Sequence, residues 1–428
     1  MNFKNLLLGS ITAAGVMTGA AYAADLGVLS SLDVCDQLGV SGLTISSDTN
    51  CLKISGEVSY SFSYGVWDTV EDDEDDAFAF DVPAGQMTWG YDDSSGDATI
   101  LNSEVNAKLN FEATADSSFG PAKATIKLLA DYVGNSDSTV VVDEAYVSIG
   151  EGTILMAGHK GSIYNNGDDA PLNWLGLFNS QAVDTGVSTG EFTGTSNAIQ
   201  VSTDLGNGFS LAGGLENLDS HGAAVGVLAY KGDTVSGHVS IAADDVLEDN
   251  GNQGEWTMHA GLTATVDSLK LVAAVAADSD SHWNVLGSAS ATFDMFTIAG
   301  SVEADDSDYT GAGASLTAEV SEGVKLNIGG RWSDYDGDTS YEVAVGAEAA
   351  LAEDLTLSGA VGYVSGYAGS YDATDDFTYA WSKLAWAPGG GFTASVKATV
   401  TMGDWHTLDS IPEGDAYKIE AEFKKTFE

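Results

Sequence analysis

The amino-acid sequence predicts an all-β protein, built as a closed antiparallel transmembrane β-barrel. Apolar and polar residues alternate in segments of about ten residues, clusters of Asp, Gly, Asn and Ser separate the segments, and aromatic residues gather at the segment ends. Beyond the first 23 residues no run of about 18 apolar residues could form a membrane helix. Any membrane crossing is therefore expected to use strands.

The alternation begins at residue 52 and continues to the end of the chain. Between residues 256 and 266 the even positions are apolar and the odd positions are mostly polar, which indicates a strand with two different faces. About 20 such segments are linked alternately by tight turns and by connections that are often longer and acidic. Because proline cannot donate to a ladder, all five prolines are predicted to lie between strands; they are Pro83, Pro121, Pro171, Pro388 and Pro412.

A soluble β-sandwich or surface adhesin is the alternative, since one face of its sheets is also apolar. In this chain the apolar face is rich in small residues, Val, Leu and Ile, and it almost never carries a charge. The last segment, from Tyr417 to Phe427, alternates to the end of the chain, with Lys425 as a charge in its apolar row. This pattern favours the membrane barrel.

The N-terminal region has the layout of a secretory signal. Lys4 precedes a mostly apolar stretch from Leu6 to Met17, and small residues lead to a cleavage site after Ala23. A buried N-terminal helix is the alternative, which the glycines of this stretch disfavour. We therefore divide the chain into a signal peptide (1–23), an N-terminal segment on the periplasmic side (24–51) and the barrel (52–428).

The two cysteines, Cys35 and Cys51, fall close together in a chain that is expected to leave the reducing cytoplasm. A disulfide is the natural prediction. Its loop of about 15 residues would stabilise the fold by roughly 3 kcal/mol in the chain-entropy model. A metal site is the alternative, but neither a second paired cysteine motif nor a nearby histidine is present.

The charge balance is strongly acidic, with 64 Asp and Glu against 15 Lys and Arg and a formal net charge of −49. Nucleic acid is excluded as a partner, because phosphate neutralisation requires clustered Lys and Arg. Charged residues make up only 18% of the chain, and hydrophobic residues 44%. A disordered acidic tail is therefore excluded too, and most acids are expected in loops or on one face.

Two stretches resemble the porins of alphaproteobacteria. The first is VCD at 34–36 followed by TNCLKISG at 49–56, and the second is VDEAYV at 142–147 followed by AGHKGS at 157–162. The resemblance implies a trimeric general-diffusion barrel of the Gram-negative outer membrane, with about 16 strands and one long loop folded inward to narrow the pore. Combined with the segment count, it predicts about 16 to 20 strands.

The constriction loop is expected at 161–196, the long connection that follows the fifth predicted strand. It mixes acids with large apolar side chains, including Trp174 and Leu175, which wholly solvated loops rarely carry. An outer loop at the trimer contact is the alternative. The predicted constriction residues are acids of this loop and cations on the polar rows of the wall: Asp168, Asp169, Asp184, Glu191, Lys108, Lys127, Lys325 and Arg331.

Two further sets of residues could carry chemistry: the acids ahead of the loop and the histidines. The acidic run at 71–76 offers the hard oxygen ligands that Ca²⁺ prefers, although a solvated, self-repelling loop is the alternative. The six histidines are scattered singly, and His159 is the one expected near the constriction. Neither a nucleophile with its base nor a phosphate-binding fingerprint is evident, so no cofactor and no enzymatic activity are predicted.

These observations predict a water-filled, cation-preferring channel for passive diffusion of ions and small hydrophilic solutes. The channel is expected to be a homotrimer in contact with outer-membrane lipid. A receptor of the same membrane would carry a plug domain, for which residues 24–34 are too few.

Overall fold

The computed structural model describes residues 32–67, 98–131, 139–164, 171–175, 194–247, 254–367, 374–404 and 416–428. The predicted signal at 1–23 and the acidic run at 71–76 lie outside these ranges. Within them the chain forms one short helix and 21 strands that belong to a single sheet. No described helix is long and apolar enough to cross a membrane.

The strands follow one another along the chain as a continuous meander. Their bounds are α1 Leu32–Gln37, β1 Thr44–Ser46, β2 Cys51–Trp67, β3 Ala98–Ala115, β4 Ala122–Asp131, β5 Thr139–Ile149, β6 Thr153–Gly161, β7 Thr195–Gly206, β8 Phe209–Glu216, β9 Ala223–Lys231, β10 Val235–Ala243, β11 Trp256–Val266, β12 Leu269–Asp278, β13 Trp283–Phe293, β14 Phe296–Asp305, β15 Tyr309–Ser321, β16 Val324–Tyr335, β17 Asp338–Ala352, β18 Leu355–Tyr367, β19 Thr374–Gly389, β20 Phe392–Asp404 and β21 Ala416–Phe427.

The sheet closes on itself between its first long strand and its last. Each strand from β2 to β21 pairs antiparallel with the next, and β2 also pairs with β21, from Gly56 opposite Phe427 to Val66 opposite Tyr417. The described strands therefore form a closed antiparallel barrel of 20 strands. The predicted fold class is confirmed at the upper end of its strand range, and closure leaves no long edge for aggregation.

The alternation of the sequence sets the two faces of the wall. In β11, Leu262 is half exposed on the outer face, whereas Thr257 and His259 are buried on the inner face. Two bands of exposed aromatic side chains ring the outer face; one contains Trp256, Trp283 and Trp332, and the other Phe209, Phe293, Phe296 and Trp386. So much exposed apolar surface with two aromatic girdles fits a wall that contacts lipid.

Tight turns join the strands at one end of the barrel. Asn207, Asp267 and Asp294 each adopt a positive φ at such a turn, a conformation that Asn and Asp tolerate better than most residues. One proline prediction is wrong, because Pro388 lies inside β19. It falls where the register shifts between Trp386 and Gly389, and a bulge is one of the few strand positions that accept proline.

A short hairpin ahead of the barrel covers the free edge of β2. Cys35 in α1 is joined to Cys51 by the predicted disulfide. β1 pairs with the start of β2, from Ser46 opposite Cys51 to Thr44 opposite Lys53, beyond the point where β21 ends. The bond thus fastens the N-terminal segment to the first residue of the barrel, one residue earlier than the predicted start.

Candidate functional site in the barrel lumen

The inner face of the barrel is the candidate site, because a polar lumen is what a channel of this size can offer to solutes. The connection between β6 and β7 enters this lumen. Its described parts include residues 162–164 and 171–175, and both contact inward-facing side chains of the wall. Asp168, Asp169, Asp184 and Glu191 lie outside the described residues, so their place at the constriction stays a prediction.

The first part of the loop is fixed by a buried tyrosine. Tyr164 packs among Ala223, Val225 and Val227 of β9 and Ala242 of β10. Its hydroxyl oxygen is 3.1 Å from that of Thr257, and burial raises the pKa of Tyr164 to about 12. The neighbouring Ile163 donates its backbone N–H to Glu216. The loop therefore leaves β6 by lying against β8 to β11.

The second part of the loop is held through its backbone. Leu172 N–H donates to the Ser288 hydroxyl and Trp174 N–H to the Ser315 hydroxyl, each at 2.8 Å. The Arg331 guanidinium donates to the carbonyl of Leu175 at 3.2 Å. Because the three wall residues stand on β13, β15 and β16, the segment crosses several strands of the inner wall.

Two wall glycines make room for the side chains of this segment. A Cβ atom at Gly329 would lie 2.9 Å from the Leu175 side chain, and one at Gly346 would lie 2.6 Å from the Trp174 ring. Leu175 is fully buried in an inward apolar cluster with Ala344, Ala360, Val364, Phe377, Tyr379 and Trp381. The seat of the loop is thus built from small residues on β16 and β17 and aromatic residues on β19.

Arg331, predicted as a cation that lines the constriction, is instead buried beneath the loop. Its Nε lies 2.6 Å from a carboxylate oxygen of Glu342, and both side chains are almost completely enclosed. Tyr379 donates its hydroxyl to the same carboxylate. A buried charge requires a paired, hydrogen-bonded partner, and here the pair also binds the loop backbone at Leu175. Arg331 therefore anchors the loop.

The three predicted lysines lie on the inner face as the alternation indicated. Lys127 forms an ion pair with Glu144 at 2.6 Å, and Lys325 lies 3.8 Å from Glu348. Lys108 of β3 stands opposite Glu57 of β2. Each predicted cation thus has an acidic neighbour on the wall.

Sequence reasoning missed further lysines on the inner face of β6 and of β19 to β21. They are Lys160, Lys383, Lys397, Lys418 and Lys424. The signal that could have found them is the parity of each strand once its register is known. The arc of wall from β19 through β21 and β2 to β6 is therefore more basic than the composition of the chain suggested.

The connections at the far end of the barrel carry acids close together. Loss of hydration and the negative charges of Asp280, Asp244, Asp245 and Asp278 raise the pKa of Glu255. No group of three or more metal-ligating side chains that could hold an ion occurs in the described ranges. Calcium binding at the 71–76 run, outside the described residues, stays a prediction.

Two of the histidines meet on the inner wall, although they are far apart in the sequence. His238 of β10 and His259 of β11 are buried and stacked, and His238 Nε2 lies 2.8 Å from His259 Nδ1. His159, by contrast, lies in the outward row of β6, opposite Ala145 of β5. The expectation that His159 stands at the constriction is therefore wrong, because the register turns its position toward the outside.

Several solved structures are similar to this chain, all at low identity. OpdQ of Pseudomonas aeruginosa is 8% identical with a TM-score of 0.47, covering 88% of this chain and 98% of that chain. The outer membrane channel DcaP of Acinetobacter baumannii is 14% identical with a TM-score of 0.37, covering 91% and 100%. A mutant of the Rh. blastica porin is 15% identical with a TM-score of 0.40, covering 69% and 98%.

A match to a protein family covers most of the chain, whereas these structural similarities are weak. No relative was found among curated proteins. Residues 31–425 match the family described as Porin subfamily, and this span includes every strand from β1 to β20 and nearly all of β21. With a polar lumen, an apolar outer face and a match over most of its length, the chain belongs to this porin family.

Proposed function

We propose that the protein forms a water-filled channel in the outer membrane, through which ions and small hydrophilic solutes diffuse passively. The closed barrel of 20 strands is the observation that carries this proposal, because its inner face is polar and its outer face apolar. Barrels of about 16 to 18 strands already leave an aqueous channel. The chain acts as a channel of the general-diffusion type and not as an enzyme.

The described loop contacts support an open path on one side of the lumen. They reach from β8 to β19, and the lysine-bearing arc continues from β19 through β21 and β2 to β6. A loop fastened to one wall narrows a pore without filling it. Asp168 and Asp169, between the two fastened parts, belong to the narrowest region in this proposal.

Conductance in a planar bilayer tests the channel. Purified protein in KCl is expected to add discrete current steps, and protein unfolded by heat before addition serves as the control. A protein that adds no current and stays in the aqueous phase of a detergent partition would contradict the proposal and favour the adhesin.

Cation preference is the second part of the proposal. Acidic connections at the mouth concentrate cations, because a charged rim next to low-dielectric walls focuses the field. The inner lysines oppose this effect, so the proposed sources of the preference are the acidic mouth and the loop acids Asp168 and Asp169. Screening lengths of about 10 Å at 0.1 M salt and about 3 Å at 1 M predict a clear preference at low salt only.

A KCl gradient measures this preference as a reversal potential. The sign is expected to show cation selectivity at low salt, and replacement of Asp168 and Asp169 by asparagine is expected to reduce the potential. Asp280→Asn neutralises an acid at the outer rim, so its effect on the reversal potential separates the contribution of the mouth from that of the loop. Anion selectivity of the unmodified channel would contradict the proposed role of the acids.

Assembly into a homotrimer completes the proposal. Its support is the resemblance of the 34–56 and 142–162 stretches to alphaproteobacterial porins, which are trimers. A gel sample kept cold is expected to migrate as a trimer and to shift to monomer after heating. Migration as a monomer without heating would contradict the trimer and leave the channel unaffected.

A further inference from the structure

Several cations of the inner wall stand directly opposite an acid in the sheet register. The directly opposed pairs are Lys53 with Glu112, Lys108 with Glu57, Lys127 with Glu144, Lys325 with Glu348, and Arg331 with Glu342. Directly opposed side chains on neighbouring strands have Cβ atoms about 5 Å apart, so such pairs stabilise the sheet. At these positions the wall compensates its own charge.

Lys383 departs from this pattern. It lies on β19 directly opposite Lys397 of β20, and no other ladder pair of the described strands opposes two cations. On its other side Lys383 faces Ser358 of β18. Like charges directly opposite one another destabilise a sheet, so this position gains from a negative charge in the lumen.

The nearby acid is already engaged. Lys397 faces Glu420 of β21 on its second side, and the Glu420 carboxylate forms an ion pair with Lys418 at 2.9 Å. Three ammonium groups on three adjacent strands therefore adjoin Glu420, and Glu422 is the next acid along the inner row of β21. We name Lys383, Lys397 and Lys418 the lysine cluster. Together with its acidic neighbours, this cluster has a positive net charge.

The lysine cluster is held in place beside the inward loop. Lys397 is 9% exposed, and its ammonium lies 5.6 Å above the ring of Trp381. Trp381 belongs to the apolar cluster that seats Leu175 and Trp174. A cation held by packing before a ligand arrives loses less side-chain entropy on binding, so the position of Lys397 favours binding of an anion.

From this arrangement we infer that the lysine cluster is a binding subsite for small oxyanions with two negative charges, such as phosphate or a dicarboxylate. The inference rests on the proposed channel function, because the ligand reaches the cluster through the lumen. Ammonium groups are compact donors that bind such oxygens without a fixed geometry. The site slows dianions at the level of the loop, in series with the acidic mouth.

Current block by added oxyanions tests the subsite. Inorganic phosphate and, in a separate arm, succinate are expected to reduce the KCl current of the unmodified channel reversibly. In a variant with Lys383→Gln and Lys397→Gln the concentration for half block is expected to rise at least tenfold. Lys270→Gln, which neutralises an inner lysine on β12 opposite Thr265 and Ser290, is the matched control.

Calorimetry with phosphate on the detergent-solubilised protein separates binding from conduction. The heat is expected to be present in the unmodified protein and in Lys270→Gln, and lost in the double variant, whose gel shift on heating shows that it is folded. Equal phosphate heat in the double variant, or none in the unmodified protein, would overturn the inference. Normal heat in a protein that carries no KCl current would support the subsite and contradict the channel.

Discussion

Replacement of Leu175 by alanine is expected to release the inward loop from the wall. The Leu175 side chain is 1% exposed and packs with Ala344, Ala360 and Tyr379, against the space left by Gly329. Truncating a buried leucine to alanine costs about 2–5 kcal/mol. If the whole cost destabilises the docked loop relative to the released loop, the ratio of docked to released loops decreases by about 30-fold to about 4,000-fold.

Single-channel recording measures the release. The Leu175→Ala channel is expected to show a higher mean conductance and more current noise, because the loop then samples undocked positions. Leu326→Ala is the matched control, because it removes the same atoms from a leucine that is half exposed on the outer face of β16, away from the loop. Its conductance is expected to equal that of the unmodified channel.

If Leu175→Ala keeps its gel shift on heating and conducts with unchanged amplitude and noise, the loop does not depend on this side chain. The backbone bonds of Leu172 and Trp174 to Ser288 and Ser315 would then suffice to hold it.

Further predictions concern the seat of the loop, the disulfide and an outer connection. Gly346→Val is expected to raise conductance as Leu175→Ala does, because the valine side chain would overlap the Trp174 ring. Unchanged conductance would show that the wall adjusts and keeps the loop docked. Reduction of Cys35–Cys51 is expected to lower the free energy of unfolding by about 3 kcal/mol for a loop of this length, measured in urea with and without reductant. The hydrogen bond and negative charge of Asp278 raise the pKa of His282, so this contact stabilises the connection at acidic pH and is lost as pH rises through the raised pKa. Asp278→Asn is expected to lower the His282 pKa in an NMR titration, and an equal pKa would contradict the assignment.

The fold could be predicted from the sequence because alternation is a local signal. The even and odd rows between residues 256 and 266 are the outer and inner rows of β11. The disulfide also followed from local spacing and from export. Pro388 was misplaced because a bulge depends on the partner strand, and His159 because its row is fixed by pairing with β5.

The lumen could be predicted only in part, since its contacts join residues that are distant in sequence. The composition of the loop indicated that Trp174 and Leu175 pack on a wall, but not that Gly329 and Gly346 receive them. Arg331 was assigned to the inner face correctly and to the wrong environment, because Glu342 and the Leu175 carbonyl enclose it. The meeting of His238 with His259 depends on the β10 to β11 register alone.

The hairpin ahead of the barrel limits the register in which the last strand, β21, can pair with β2. A slip of β21 along β2 by two residues would keep every side chain on its proper face, so the apolar pattern does not forbid it. β1 already occupies the edge of β2 beyond Gly56, and Gly42 lies so close to the terminal Glu428 that a Cβ atom would stand 2.9 Å from its carbonyl carbon. The disulfide-fastened hairpin is thus a steric stop against a slip of β21 toward the start of β2.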